Sequence, residues 1–340
     1  MTKKAVILFN LGGPDKLESV EPFLFNLFND PAIISIPAIF RYPLAKFISK
    51  RRAPIAKNIY KEIGNKSPIL ELTQEQAEKL EKNLLEKGDY KCFVVMRCWH
   101  PRAVDVIKQV KEYNPEEIIL LPLYPQFSAS TSGSSINEWK NLCKKENYRV
   151  KTKTVCCYPT ENNFILSHVN LIKKTIKNLE NNNFKLLFSA HGLPENKIKK
   201  GDPYQWQVEQ TVERIMSKLK DENLDYTISY QSRVGPLKWI GPSTDEMIIK
   251  YSKEKKGIVI VPVAFVSEHS ETLVELDIEY KKLAEKNGCS FYKRVPALGI
   301  EENFIKGLTE LVLQKETKGN FVSSVMCPNK YAKCPCLVIK

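Results

Sequence analysis

The run Ile258-Val259-Ile260-Val261-Pro262-Val263-Ala264-Phe265-Val266 constrains the fold more than any other stretch. It is too short and too β-branched for a helix. It reads as a strand buried on both faces, as in a parallel sheet covered by helices. The character flips at Ser267-Glu268-His269-Ser270-Glu271-Thr272, and Leu273, Leu276, Tyr280 and Leu283 then recur at helical spacing. Glu271, Glu275 and Glu279 fall four apart and stack in one row. Like charges so placed repel, and a buried row of them needs a cation. For an arbitrary row of glutamates, a solvated face capped by Ser267 or Ser270 is the commoner explanation. Here a histidine and carboxylates leave the C-terminal end of a central strand, where open α/β sheets place their chemistry.

The same strand-then-turn pattern recurs along the chain. Residues 5–11 form an apolar run ended by Gly12-Gly13-Pro14, with no G-x-G-x-x-G to suggest a dinucleotide. Residues 91–96 run into Arg97. Residues 118–123 open on Tyr124 and a loop of small residues, 127–135, that includes Ser130. A loop plus helix cap explains those hydroxyls without a phosphate. Residues 185–190 exit at His191-Gly192-Leu193-Pro194, and residues 226–233 lead to a Gly/Pro loop carrying Trp239. A lone histidine at a strand end is usually structural; the match to the opening motif makes His191 a candidate. Helices are expected over 54–64, 73–87, 101–113 and 202–220, with Thr73 as an N-cap and Gln76 completing a capping box.

The halves echo one another. Leu8-Phe9…Gly-Gly-Pro14 answers Leu187-Phe188…Gly-Leu-Pro194; Tyr90 to Arg97 answers Tyr226 to Arg233; residues 118–123 answer 258–263. The expected fold is α/β, with two similar doubly wound Rossmann-like halves whose parallel sheets face across a cleft. The expected domains are an N-terminal half over 1–160, a C-terminal half over 161–320 and a Cys-rich tail over 321–340. Residues 22–48 carry dense apolar clusters broken by Pro31, Pro37 and Pro43, followed by Lys50-Arg51-Arg52. Much of this is core packing. An apolar lip over about 15–52, beside a basic cluster, also suits a flat amphipathic ligand with carboxylates or a membrane surface.

The chain has 340 residues and a formal net charge of +13, with lysines spread throughout rather than gathered in a nucleic-acid module. No apolar stretch approaches the ~20 residues of a membrane span. Met1-Thr2-Lys3-Lys4 leads straight into a strand without a secretory pattern, so a bacterial cytoplasmic location is expected, with peripheral contact at the inner membrane through the lip. The nine cysteines are then thiols or metal ligands rather than disulfides.

Taken in order, Leu8-Phe-Asn-Leu-Gly-Gly-Pro14, Lys50-Arg-Arg-Ala-Pro54, Leu123-Tyr-Pro-Gln126, Ser189-Ala-His-Gly-Leu-Pro194, Gly201-Asp-Pro-Tyr204, Gln231-Ser-Arg-Val-Gly-Pro236 with Trp239-Ile-Gly-Pro242, and Glu268-His-Ser-Glu-Thr-Leu273 resemble the ferrochelatase family. The resemblance covers nearly the whole chain. It implies a metal chelatase of the lyase class that inserts Fe²⁺, as substrate, into protoporphyrin IX in the last step of haem biosynthesis. On this resemblance His191 and Glu271 are the catalytic and metal-contacting pair, and His269 orients Glu271. His191 ligates iron or accepts a pyrrole proton; the sequence leaves both readings open. Glu275 and Glu279 form an acidic path. Leu11, Arg51, Arg52, Arg97, Tyr124, Ser130 and Trp239 match porphyrin-binding positions.

The tail places Cys327, Cys334 and Cys336 within ten residues, a spacing that resembles the cluster-bearing bacterial members. A [2Fe–2S] cluster needs four cysteines. The body position used in the animal pattern is Ala129 here, so the fourth ligand is Cys143, Cys156 or Cys157. Two rivals stand beside this reading. One is a chelatase for cobalt or coproporphyrin; the other is a carrier that binds haem or iron without turnover.

Overall fold

The computed structural model describes all residues except 1, 178, 180–182, 234, 236, 316–318, 326, 338–340 and the side chain of 221. Val234 and Pro236 of the Gln231–Pro236 motif therefore lie outside the described residues. The chain divides into two units, Met1–Cys157 with Leu308–Ser323, and Tyr158–Gly307 with Ser324–Lys340.

In the first unit, β1 (Lys4–Asn10) runs parallel between β2 (Tyr90–Met96) and β3 (Glu117–Pro122), and β4 (Lys151–Cys157) extends the sheet beyond β3. Between the strands lie α1 (Val20–Phe28), α2 (Ala38–Lys61), α3 (Ile69–Leu85), α4 (Ala103–Tyr113) and α5 (Ser132–Lys145). Val106, Ile107 and Val110 of α4, with Ile136 and Trp139 of α5, bury one sheet face against Ile7, Phe9, Val95 and Leu120. Burial on both faces is why β1 reads as an unbroken apolar run.

In the second unit the chain continues through α6 (Asn162–Ile176), β5 (Phe184–His191), α7 (Glu195–Lys199), α8 (Tyr204–Lys218), β6 (Tyr226–Gln231), α9 (Thr244–Lys253) and β7 (Gly257–Pro262). A π-helix (Glu271–Glu279), α10 (Tyr280–Lys286) and β8 (Tyr292–Arg294) follow. The sheet order is β6-β5-β7-β8, all parallel. The order β2-β1-β3 of the first sheet is thus repeated as β6-β5-β7. The register is offset by one between the two repeats: Phe9 pairs with Pro122, whereas Phe188 pairs with Val261 and Ser189 with Pro262. The doubly wound α/β class and the internal repeat read from the sequence are both present.

The structure differs from the sequence reading in several places. α11 (Glu302–Leu313) leads to β9 (Phe321–Ser323), which pairs with β4 and so assigns residues 308–323 to the first unit. The proline-broken stretch 22–48 contains two helices. Pro37 stands at the N-cap of α2, and Pro43 and Pro54 lie within it, each removing one backbone donor. The helix persists because α2 buries Ala45, Ser49, Ala53 and Tyr60, of which Ala53 and Tyr60 pack with Val20, Phe23 and Leu24 of α1. Thr73 is not an N-cap: it lies inside α3, where its hydroxyl donates to the Ile69 carbonyl at 2.6 Å and accepts from Asn10 Nδ2 at 3.0 Å. Burial of Thr73 in that pair outweighed its local capping preference.

Candidate active site

His191 ends β5, and its backbone pairs with Gln231 at the end of β6. The turn that follows needs glycine. A Cβ on Gly192 would lie 3.0 Å from the Gln231 carbonyl oxygen and 3.2 Å from Cε3 of Trp239. Trp239 is held over that turn because the Leu193 carbonyl accepts from Ile240 N–H at 3.0 Å and the Lys238 carbonyl accepts from Glu195 N–H at 2.9 Å. Sequence, turn and aromatic wall are therefore one construction around the exit of β5.

The π-helix carries Glu271, whose Oε2 lies 2.9 Å from His191 Nδ1. Burial works against an imidazolium, but the Glu271 carboxylate, with Glu275 behind it, outweighs burial and leaves His191 more basic than an ordinary histidine. Burial would also raise Glu271; His191, and then His269, hold it down at about 2. The two shifts agree in direction: the pair favours imidazolium and carboxylate. With Nδ1 engaged, Nε2 is the ring nitrogen left for a ligand or proton.

The three glutamates of the row meet three different environments. Glu271 faces an imidazole. Glu275 accepts from Gln231 Nε2 at 2.9 Å, Ser232 N–H at 3.0 Å, the Ser232 hydroxyl at 2.5 Å and the Tyr280 hydroxyl at 3.0 Å. Burial and then repulsion from Glu271 nevertheless push Glu275 up. Glu279 is exposed. An α-helix was the natural expectation here, since Leu273, Leu276, Tyr280 and Leu283 fit its spacing. The observed π winding is a rare form that often marks functional sites.

His269 does not hydrogen-bond Glu271. Its Nδ1 accepts from the Thr272 N–H at 3.4 Å, while the Thr272 hydroxyl accepts from His269 N–H at 3.0 Å. Its ring packs edge-on to Phe265 at 4.7 Å. Burial leaves His269 less basic than usual, against the opposing pull of Glu271 and Glu268. His269 thus caps the start of the segment that presents Glu271.

The remaining residues singled out in the sequence belong to the first unit. Leu11 packs against the α1–α2 core. On α2, Arg51 is exposed and Arg52 half-buried. Arg97 is fully engaged: it meets Asp30 at 3.0 Å, Glu138 at 3.1 Å and the Ser134 hydroxyl at 2.7 Å. Arg102 joins the same Glu138 at 2.9 Å. Ser130 donates to the Ala32 carbonyl at 3.3 Å, and Tyr124 packs against the first-sheet core. Sequence reading missed Asp30 and Glu138, the acids that hold Arg97. It also missed Ser232 and Tyr280, which hold Glu275; the Gln231-Ser-Arg233 motif was the available signal.

All nine cysteines are free thiols. Cys327, Cys334 and Cys336 are buried in the second unit, with the sulfurs of Cys334 and Cys336 within 4.8 Å. Gln207 Nε2 donates to Cys327 Sγ at 3.2 Å. The tail is braced on α8 by Tyr331, whose ring stacks on Trp206 at 5.7 Å.

The fold is shared with SirB from Bacillus subtilis with Fe³⁺, at a TM-score of 0.52 and 12% identity over 92% of this chain and 94% of that one. It is likewise similar to the sirohydrochlorin chelatase SirB from Bacillus subtilis subspecies spizizenii in complex with cobalt, with a TM-score of 0.52, 10% identity, and coverage of 90% of this chain and 92% of that one. These likenesses show the doubly wound α/β fold. The family model for ferrochelatase matches residues 3–316. The chain is 65% identical to the ferrochelatase of Pelagibacter ubique (strain HTCC1062), covering 98% of this chain and 99% of the relative. It is 51% identical to that of Rickettsia felis (strain ATCC VR-1525 / URRWXCal2), covering 98% and 97%. The chain belongs to the ferrochelatase family. Its activity is insertion of Fe²⁺ into protoporphyrin IX to give protohaem, the last step of haem biosynthesis, with release of two protons.

Proposed function

We propose that His191 and Glu271 act together as the proton acceptor in this insertion. Iron enters as Fe²⁺ and stays Fe²⁺; two pyrrole N–H bonds break and their protons must leave. His191 Nε2 takes the two protons one after the other, passing the first along the Glu275–Glu279 row to solvent before it accepts the second, and Glu271 stabilises the imidazolium formed each time. The observation that carries this reading is the 2.9 Å contact of Nδ1 with the carboxylate. It favours proton uptake, because the carboxylate stabilises the imidazolium that the neutral ring becomes on accepting a proton. Glu275 and Glu279 extend the carboxylate row as a path for departing protons or arriving cations.

Leu11, Arg51, Arg52, Tyr124 and Trp239 are the groups proposed to hold the porphyrin, with Arg51 meeting a propionate because it is exposed. Arg97 and Ser130 are proposed to act there by shaping the wall, since their polar atoms are taken by protein.

Two finer readings accompany the chemistry. The buried tail thiols suit a [2Fe–2S] cluster, with Cys327, Cys334 and Cys336 as ligands. Cys156 is the proposed fourth: Cys157 already meets the Ser323 hydroxyl at 3.2 Å, and Cys143 lies against the first-sheet core with its thiol pushed up to about 11 by burial. The insertion moves no electrons, and no step needs such a cluster. The second reading is a bacterial cytoplasmic protein in peripheral contact with the inner membrane. No described helix is long and apolar enough to cross a membrane. Yet α2 leaves Ile39 77%, Phe40 65% and Phe47 63% exposed, beside exposed Lys46, Lys50 and Arg51. Apolar side chains flanked by cations suit an anionic lipid surface.

Anaerobic turnover of protoporphyrin IX with Fe²⁺, followed by loss of porphyrin fluorescence, tests the reading in wild type and His191→Ala. Insertion that collapses in the variant supports it. Undiminished insertion in the variant removes His191 from the chemistry.

A further inference from the structure

The π-helix is a winding that local propensity does not favour. Contacts from outside must select it. Two come from β8, a strand of three residues. The Tyr292 hydroxyl donates to the Leu276 carbonyl at 2.6 Å, inside the π-helix. Arg294 forks onto Asp277, Nε to Oδ1 at 2.7 Å and Nη2 to Oδ2 at 2.7 Å. Its Nη1 reaches Glu268, with Oε1 at 2.8 Å and Oε2 at 3.1 Å. Glu268 is itself fixed by the Ala297 N–H at 2.9 Å.

One guanidinium therefore binds both the residue three before Glu271 and the residue six after it. The Arg294 side chain is only 11% exposed, so these are shielded, charge-assisted bonds rather than a loose surface pair. From other residues of the same segment, Glu271 reaches His191 and Glu275 reaches Ser232. Rewinding the segment into an α-helix would rotate one end against the other. Asp277 and the Leu276 carbonyl would leave β8, or Glu271 would leave His191.

We propose that Arg294 and Tyr292 are positioning residues for iron insertion: from β8 they fix the winding of the Glu268–Glu279 segment so that the Glu271 carboxylate stands against His191. This rests on the reading that Glu271 works with His191. Neither side chain needs to touch porphyrin or iron. Their effect is on kcat, through the placement of a group whose displacement by an ångström is costly.

The test is anaerobic Fe²⁺ and protoporphyrin IX kinetics on Tyr292→Phe, Arg294→Lys, Glu271→Gln and the double variant Arg294→Lys/Glu271→Gln, with thermal melting of each. Tyr292→Phe and Arg294→Lys are expected to lower kcat about tenfold while the porphyrin KM stays within about twofold. Once the Glu271 carboxylate is gone, Arg294→Lys should cost less than about twofold more, because its effect runs through that carboxylate. Losses that multiply in the double variant would overturn the proposal, since a merely structural role does not depend on Glu271. If Arg294→Lys melts early, Tyr292→Phe, which deletes one hydroxyl, decides the matter. Wild-type kcat in both β8 variants alongside a disabled Glu271→Gln overturns the positioning role alone. An undiminished Glu271→Gln overturns the underlying dyad reading instead.

Discussion

Ser232 grips Glu275 twice, by its backbone N–H at 3.0 Å from Oε1 and by its hydroxyl at 2.5 Å from Oε2. It can do so because its φ of 61° lies in the left-handed region, which turns the backbone N–H and the side chain towards one carboxylate. Glu271 is balanced by a cationic imidazole, whereas Glu275 is held only by neutral donors. Burial and Glu271 already push Glu275 up, and its hydrogen bonds pull the other way. Removing the hydroxyl should raise it further, leaving less carboxylate at neutral pH.

Ser232→Gly makes that change cleanly, because glycine accepts the left-handed backbone. The apparent KM for Fe²⁺ at pH 7 is expected to rise about tenfold, the scale of one hydrogen bond to a charged group. It should recover as pH rises and Glu275 ionises. A KM equal to wild type across the pH range would remove Glu275 from the iron path.

His168 of α6 is 2% exposed, both ring nitrogens lack a hydrogen-bond partner, and its ring meets Phe164 edge-on at 4.9 Å. Burial, opposed by Glu301, pushes it down to about 3. The unfolded chain takes up a proton below about 6.5 and the folded one does not. Stability on this account falls as pH drops from 6.5 towards 3, by about 2 kcal/mol at pH 5. His168→Leu removes the loss. Its melting temperature should exceed wild type by more at pH 5 than at pH 8, the difference being about 4 °C. An equal shift at both pH values would mean that His168 is not held neutral.

Much of this molecule was legible because its central strands are buried on both faces. Residues 5–11, 118–123, 185–190 and 258–263 could hardly be anything else, and their order gave the repeat. His191 and Glu271 were legible as polar residues placed where those strands end. β4 was not, since Lys-Thr-Lys-Thr at its start hides a strand that is buried only in its second half. The helical stretch around Pro37 and Pro43 was not, because its stability comes from packing between α1 and α2; only the end of α2, from residue 54, was legible as helix. The π winding was invisible for a simpler reason: the same apolar spacing serves an α-helix. The backbone of Ser232, on which the Glu275 cage depends, leaves no trace in residue type.

The exposed face of α2 should matter for lipid and not for folding. Phe40→Glu with Phe47→Glu is expected to lower partitioning onto vesicles containing anionic lipid about tenfold or more, with melting unchanged. Co-sedimentation measures it, and undiminished binding would assign that face another role.

The tail thiols make a sharper test of composition than of activity. Protein purified anaerobically should carry about two iron and two labile sulfide per chain. Cys334→Ser and Cys156→Ser should abolish the visible absorbance, while Cys143→Ser and Cys157→Ser keep it. Substoichiometric iron and sulfide in wild type would dismiss the cluster.

The most direct measurement is the pH dependence of kcat/KM for iron insertion in wild type and Glu271→Gln. The groups that set the His191 charge are Glu271 and Glu275 from the π-helix and His269 before it. Because Glu271 stabilises the imidazolium, the wild-type rate should fall on the acid side around a value above the ordinary histidine value of about 6.5. Without that carboxylate, burial prevails and the acid limb of the residual activity should move to lower pH. A limb that stays in place, or moves upward, would show that His191 and Glu271 do not share the proton.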